Sequence, residues 1–403
     1  MQAHLDAHPT SLDSSLGIVL RLVAAGEATT RSDIARATGL ARSTVSQRVD
    51  RLRAGSLLVE GRSAASTGGR PPIELALNPR AGVILAADLG ATHCRLAAAD
   101  LSRTVLAEQA HELDIARGSA TVLSWLVNQF DETLAAIGRT PADVRAIGIG
   151  VPGPVEFSSG MVVRPPIMPR WDAVRVPDHF VQHYHAAVLV DNDVNVMALG
   201  EASARGPGEE LLLFIKIGTG IGCGIVSRGD VHRGADGAAG DIGHISVRDS
   251  EHVPCDCGNV GCIEAVASGA ALVRELADAG LDVRTNHDVV SLALHGDPVA
   301  IRSIRVAATR IGEVIAALVN FYNPSTIVFG GALAPLRDDL LAGIRAVVYR
   351  RATPLATRTL TIEASRLGER AGVVGAIQLA HQHLFSAQGL PGLLNNLRGA
   401  AAG

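Results

Sequence analysis

The sequence predicts an α/β protein that carries a small, mainly helical module at its N-terminus. Two stretches of different character predict this. Up to Leu77, short helical stripes end at glycines and are followed by two strand patterns; from Gly82 onward, apolar strands and glycine turns alternate with long Ala/Leu helices. The second pattern is the mark of α/β layers. A third observation divides the larger part. VILAADLGATHCRLAAAD and LLLFIKIGTGIGCGIVSRG both read as strand, Gly/Thr turn, strand, and they lie roughly 130 residues apart, as in two similarly folded lobes. The expected division is 1–78 for the N-terminal module, 79–195 and 196–388 for the two lobes, and a frayed tail over 389–403.

Each element of the N-terminal module has a local reason. Leu16, Val19, Leu20 and Val23 form an apolar stripe at helical spacing. Thr30-Arg-Ser-Asp33 is a capping-box pattern that opens a short helix closed by Gly39. A third helix runs from Ser43 to Leu52 and stops at Gly55, with Val45, Val49 and Leu52 inward and Arg42, Ser43, Thr44, Gln47 and Arg48 outward. Strand LLVE, the tip GRSAASTGGRPP and strand IELAL complete the order of a winged helix-turn-helix.

Charge fits a nucleic-acid partner for this module. Residues 1–80 hold ten Arg against seven Asp or Glu, a net of +3, which leaves −7 for the rest of a chain whose total is −4. Between Arg36 and Arg70 the net is +5, the local excess that phosphate neutralisation requires. In such a module the exposed half of the third helix reads bases in the major groove. Arg42, Ser43, Thr44, Gln47 and Arg48 are the candidates, with Arg51 and Arg53 on phosphates. Gly68-Gly69-Arg70-Pro71 resembles an AT-hook, which places Arg70 in a narrow minor groove. Double-stranded operator DNA is the expected partner, read by paired heads of a homodimer or homotetramer.

Composition sets the remaining bounds. Hydrophobic residues make up 47% and charged residues 19%, so the chain is globular. No apolar run approaches the roughly 18–20 residues that span a bilayer, and MQAHLDAHPTSLDSS lacks the pattern of a secretory signal. A cytoplasmic location is expected. Of five cysteines, Cys94 and Cys223 sit alone in apolar strands and read as packing residues. Lys216, the single lysine, reads as a matter of composition and not of function.

The chemistry concentrates between Gly240 and Glu264. His244 lies eleven residues ahead of Cys255-x-Cys257-x4-Cys262, and three thiols with one imidazole are a complete tetrahedral set for a structural zinc. In a reducing compartment, clustered cysteines more often hold metal than form disulfides. Asp241 and Glu264 bracket this set, as suits a polyhydroxylated ligand. The two Gly/Thr turns could bring backbone N–H groups and a Thr hydroxyl to phosphate oxygens, with Asp88 beside the first to hold Mg²⁺ or a bridging water. Each turn reads equally well as a tight hairpin. Asp191-Asn-Asp193-Val-Asn195 ends one strand and opens a helix, where a carboxylate could deprotonate a hydroxyl or the residues could merely cap. Gly148-Ile-Gly150-Val-Pro-Gly153 matches a dinucleotide fingerprint, but prolines and a following hairpin replace the helix that it needs.

Together these motifs resemble the ROK family (repressors, open reading frames and sugar kinases). The resemblance covers about residues 82–385. It rests on Ile217 with GTGIGCGI, on Gly240-Asp-Ile-Gly243-His244, the cysteine cluster and Asn192-Asp193. Asp88-Leu-Gly-Ala-Thr92 and Pro324-Ser-Thr-Ile-Val-Phe-Gly330-Gly331 match in order as well. It implies a two-lobed actin/hexokinase-like (ribonuclease H-like) fold with a sugar between the lobes and zinc on His244, Cys255, Cys257 and Cys262. Sugar hydroxyls would meet Asn192, Asp193, Asp241, His244 and Glu264. If nucleotide binding is retained, Asp88, Gly90, Thr92, Gly218, Thr219 and Gly220 would hold ATP and Mg²⁺, and Gly330 and Gly331 would lie under the adenosine. The winged helix matches the repressor branch, so the expected function is a sugar-responsive transcriptional regulator, a repressor of carbohydrate uptake or catabolism genes. The alternative is an ATP-dependent, glucokinase-like sugar kinase with Asp193 as catalytic base. Three departures argue for the regulator: Asp241 where family kinases carry Glu, Ala91 followed by His93 in the first phosphate turn, and Ile167 where many members have a sugar-binding Asn.

Overall fold

The computed structural model describes residues 12–63, 73–206 and 208–399. The wing tip with Gly68, Gly69, Arg70 and Pro71 lies outside the described residues. Helices α1 (Leu12–Ala24), α2 (Arg31–Thr38) and α3 (Arg42–Ala54) precede the antiparallel pair β1 (Leu58–Ser63) and β2 (Ile73–Leu77). The local signals act as expected. Thr30 Oγ1 accepts the Asp33 N–H, and Gly39 ends α2 in the left-handed region. The stripe of α1 and the inward face of α3 are buried together.

The first lobe opens with the meander β3 (Val83–Leu89), β4 (His93–Asp100) and β5 (Val105–Glu112). It continues through α4 (Ser119–Ala136) to β6 (Val144–Val151), the short hairpin β7 (Val155–Glu156) and β8 (Met161–Val162), α5 (Val181–Tyr184) and β9 (Ala187–Asn192). Helix α6 (Asp193–Arg205) leads into the second lobe. There follow β10 (Leu211–Ile217), β11 (Ile221–Ser227) and β12 (Asp230–Val231), then helices α7 (Ile263–Ala267), α8 (Gly269–Asp278), α9 (Asn286–Leu294) and α10 (Pro298–Tyr322). Strand β13 (Thr326–Gly330), helices α11 (Arg337–Arg351) and α12 (Pro354–Thr357) and strand β14 (Thr361–Ala364) complete it.

The doubling read from two glycine turns extends to whole sheets. Strand order is β5-β4-β3-β6-β9 in one lobe and β12-β11-β10-β13-β14 in the other. In each, a first strand pairs antiparallel with the second and parallel with the fourth. This is the two-lobed actin/hexokinase-like arrangement. Among the described residues no helix is long and apolar enough to cross a membrane.

Two C-terminal elements differ from the sequence expectation. Helix α13 (Ala371–Leu384) follows the second lobe in sequence, yet it packs on α6 and on β3, β4 and β6 of the first. Residues expected as a frayed tail form α14 (Leu390–Gly399), which packs on α1. Leu390, Leu393 and Leu394 give it a buried stripe at i, i+3, i+4, and Leu390 lies against Gly17. Hydrophobic burial therefore runs without a break from the DNA-type module through α14 and α13 into the sheet of the first lobe.

Candidate functional site: a metal centre on the wall of an interlobe cleft

The segment from Gly240 to Glu264 contains little regular structure: one turn of 3₁₀ helix at Ile242–His244 and isolated bridges pairing Ser246 with Cys262 and Pro254 with Val260. Even so, it brings one ligand atom each from His244, Cys255, Cys257 and Cys262 within 4.8 Å of one another. Zinc–sulfur bonds of about 2.3 Å and zinc–nitrogen bonds of about 2.0–2.1 Å imply tetrahedral edges of about 3.8 Å between sulfurs and about 3.6 Å between sulfur and nitrogen. Cys257 Sγ lies 3.7 Å from Cys262 Sγ, and Cys255 Sγ lies 3.6 Å from His244 Nδ1. The donor set fits a tetrahedral cation. Burial pushes the Cys262 thiol up to about 12, so a bound cation is what would hold it as thiolate. The backbone N–H of Asn259 acts the other way and lowers the exposed Cys257 thiol.

His244 faces both the cysteine cluster and the cleft. Its Nδ1 faces Cys255, while its Nε2 lies 3.8 Å from Asp241 Oδ1 on the cleft side. Gly240 sets up this turn with φ +94°, and a Cβ there would lie 1.8 Å from the Cys223 carbonyl oxygen. Only glycine permits that approach. Glu264, in the first turn of α7, accepts the Ile221 N–H at 2.9 Å and so ties the metal segment to the second Gly/Thr turn.

Asp88, Asn192, Asp193, Asp241, His244 and Glu264 all line one cleft of about 1030 Å³. The polar run after β9 divides its labour. Asn192 Oδ1 caps α6 through the Val194 N–H at 2.9 Å, and its Nδ2 donates to the Gly153 carbonyl. Asn195 donates to Asp191, which also binds Arg233; the Arg233 guanidinium stacks 3.6 Å from the Phe157 ring centroid. Asp193 is left to face the cleft. Its partner was not foreseen. Lys216, read as a matter of composition, donates from Nζ to Asp193 Oδ2. Strand alternation was the available signal, since Lys216 shares the face of Leu212 and Phe214 that packs on α6.

The two turns expected to hold phosphate do form hairpins, between β3 and β4 and between β10 and β11. In the first, the His93 ring lies against Gly90. Burial first, and then the Lys216 charge, hold His93 below its ordinary range and hence neutral. Gly218, Thr219, Gly220, Gly330, Gly331 and Thr92 line the cleft as well.

Asp88 is the most strained charge in the site. Its Oδ1 is buried with no hydrogen-bond partner among the described residues. Desolvation, followed by the Asp193 charge, pushes its pKa to about 7, against the opposing pull of Lys216 and Arg95. A carboxyl raised in the folded state contributes stability that is full below its unfolded value and is lost as pH climbs through the folded one. Asp88→Asn is therefore expected to stabilise the protein at about pH 8 by on the order of 2 kcal/mol, and to change little below about pH 4. Melting temperatures across that window test this; a difference independent of pH refutes it.

In the N-terminal module, Arg42, Ser43 and Gln47 are exposed on α3, and Thr44 and Arg48 are half-buried. Arg48 Nε donates to Ser15 Oγ at 2.7 Å. Arg53, expected on phosphate, lies 3.1 Å from Glu60, which Arg31 also approaches. Helix α3 is thus braced by α1 and by β1.

Comparison with known proteins follows the same division of the chain. The model of the ROK family matches residues 84–383, beginning just after the N-terminal module. A xylose repressor from Caldicellulosiruptor bescii is 30% identical over 383 residues, covering 92% of this chain and 96% of the repressor. The crystal structure of a ROK family transcriptional regulator, a homolog of the E. coli MLC protein, matches with a TM-score of 0.77 and 26% identity, over 95% of this chain and 98% of its own. A ROK family glucokinase from Streptomyces griseus, solved with glucose and AMPPNP, matches with a TM-score of 0.64 and 28% identity over 100% of its own chain and 75% of this one. The chain belongs to the ROK family.

Proposed function

We propose that this protein is a sugar-responsive, DNA-binding transcriptional regulator of the repressor type. The observation that carries the reading is the shared apolar core, which joins the winged helix to the lobe that forms one wall of the cleft. Relatives of matching length are named as a xylose repressor and a transcriptional regulator. In this reading Asp193, Asp241 and Glu264 accept hydrogen bonds from sugar hydroxyls, Asn192 shapes the floor of the site, and His244 Nε2 adds a further contact. His244, Cys255, Cys257 and Cys262 would hold a structural zinc, which fixes the His244 ring and the segment around it. Arg42, Ser43, Thr44, Gln47 and Arg48 would read the major groove and Arg70 the minor groove, from two heads of a dimer or tetramer. Closure of the lobes on a sugar changes the angle of those heads, and the sugar's differential affinity for the two states sets the size of the response.

Gel shifts on DNA from upstream of its own gene, with a panel of aldoses beginning with D-xylose, test the proposal. At least one sugar is expected to weaken DNA binding about tenfold, or about 1.4 kcal/mol. Glu264→Ala is expected to keep DNA binding and lose that response. Absence of DNA binding, or equal binding with every sugar, sinks the reading. ADP release in the same mixtures with ATP and Mg²⁺ would favour the kinase alternative.

A further inference from the structure

Lys216 is the single lysine among 403 residues, and the fold clears space for it. Its antiparallel neighbour across the sheet is Gly222 and its parallel neighbour is Gly330. No side chain flanks it on either strand. Alternation along β10 directs it towards the first turn of α6, where Asp193 takes its proton donor. Asp88 and Glu264 also act on it, and these three carboxylates hold the ammonium in its charged form against its burial. Asp88 and Asp193 converge from two elements, one at the end of β3 and one at the start of α6, and Asp88 keeps one oxygen without a partner among the described residues.

Two buried carboxylates facing one cleft call for a cation. In a cleft that takes ATP, a divalent ion between carboxylates and phosphates meets that need. We propose that Lys216 is a built-in cation: its ammonium occupies the space shared by Asp88 and Asp193, excludes a divalent ion there, and leaves a cleft that binds its sugar without a metal–nucleotide partner. Two effects act together. The ammonium repels a divalent cation brought to the same carboxylates, and Asp193 Oδ2, already accepting from Nζ, is not free to take the proton of a sugar hydroxyl. The cleft then recognises hydroxyls alone. The inference rests on these charges and does not depend on which sugar binds.

Titration of the zinc-loaded protein with Mn²⁺, counted by electron paramagnetic resonance, tests it. Zinc loading keeps Mn²⁺ off the cysteines, so that any gained site belongs to the carboxylates. The wild type is expected to show no Mn²⁺ site that depends on Asp88. Lys216→Ala is expected to gain one Mn²⁺ per chain, bound at least tenfold more tightly than by wild type, and Lys216→Ala combined with Asp88→Asn to lose it. Lys216→Arg keeps the charge and is expected to behave as wild type. Lys216→Met, which fills the same space without the charge, replaces Lys216→Ala should the smaller side chain fail to fold. Two results overturn the proposal: an Asp88-dependent Mn²⁺ site in the wild type as tight as in the variant, or a folded uncharged variant that gains none.

Discussion

If the proposed zinc site is occupied, Cys262→Ser is expected to lower bound zinc to less than about a tenth of the wild-type content and, with it, both the melting temperature and the proposed response to sugar. The reason lies in how little regular structure the segment between Gly240 and Glu264 has. Its regular structure is one turn, two isolated bridges and the start of α7, and Ile242, Val247 and Ile263 anchor it in the core, so bound metal would hold the stretch around Cys255 and Cys257. Zinc binding by small structural sites is worth on the order of 10 kcal/mol or more, a scale at which one lost ligand outweighs any surface interaction. Cys262 is buried at the start of α7, two residues before Glu264. Its loss should therefore loosen a sugar contact as well as the metal. Metal analysis, melting and sugar binding measured on one preparation should fall together. Cys94→Ser is the control, since Cys94 lies buried in β4 and away from the cluster. Full zinc content in Cys262→Ser would remove that residue from the ligand set.

Gly375→Val is the substitution expected to cost most in stability. Helices α6 and α13 meet through two glycines, one on each. A Cβ at Gly375 would lie 1.7 Å from the Val196 carbonyl oxygen, and one at Gly200 would lie 2.2 Å from the Ala371 carbonyl oxygen. Both obstacles are main chain, so no rotamer change relieves them and the helices must part. Overpacking in a core usually costs about 1–3 kcal/mol, and occasionally more. Separation of two main chains belongs at or above the top of that range, against a total stability of roughly 5–15 kcal/mol. Gly392→Ala, at an exposed position of α14 with nothing within 4 Å of its Cβ, is expected to be neutral or slightly stabilising through helix propensity. Chemical denaturation of both variants checks the contrast. Equal stability would mean that α6 and α13 can move apart at little cost.

The features legible in the sequence share one property: their causes are local. The caps of α2, the stripe of α1 and the glycine turns each act over a few residues, and the ligand spacing of the cysteine cluster is nearly as short. What escaped the sequence depends on partners far along the chain. Lys216 gains its meaning from Asp193 across two lobes and from Gly222 and Gly330 on neighbouring strands. Arg53 gains an ion-pair partner, Glu60, only where the chain turns back along β1. Helix α14 is a different case, because its stripe Leu390, Leu393, Leu394 was there to be read. Its glycines, proline and asparagines drew attention away from it. The placement of α13 on the first lobe had no local signal at all, since sequence order suggests the second.

The core that α1 shares with α14 has a consequence for how such a chain can be recombined. Residues 1–78 are not a detachable cassette. Moved alone onto another two-lobed protein, they would leave Leu16, Val19 and Leu20 without the cover that Leu390, Leu393 and Leu394 help to provide. The unit of exchange is discontinuous, made of the helices α1 to α3 with their β1–β2 pair and of α14. A working transplant would have to carry the last helix together with the first three.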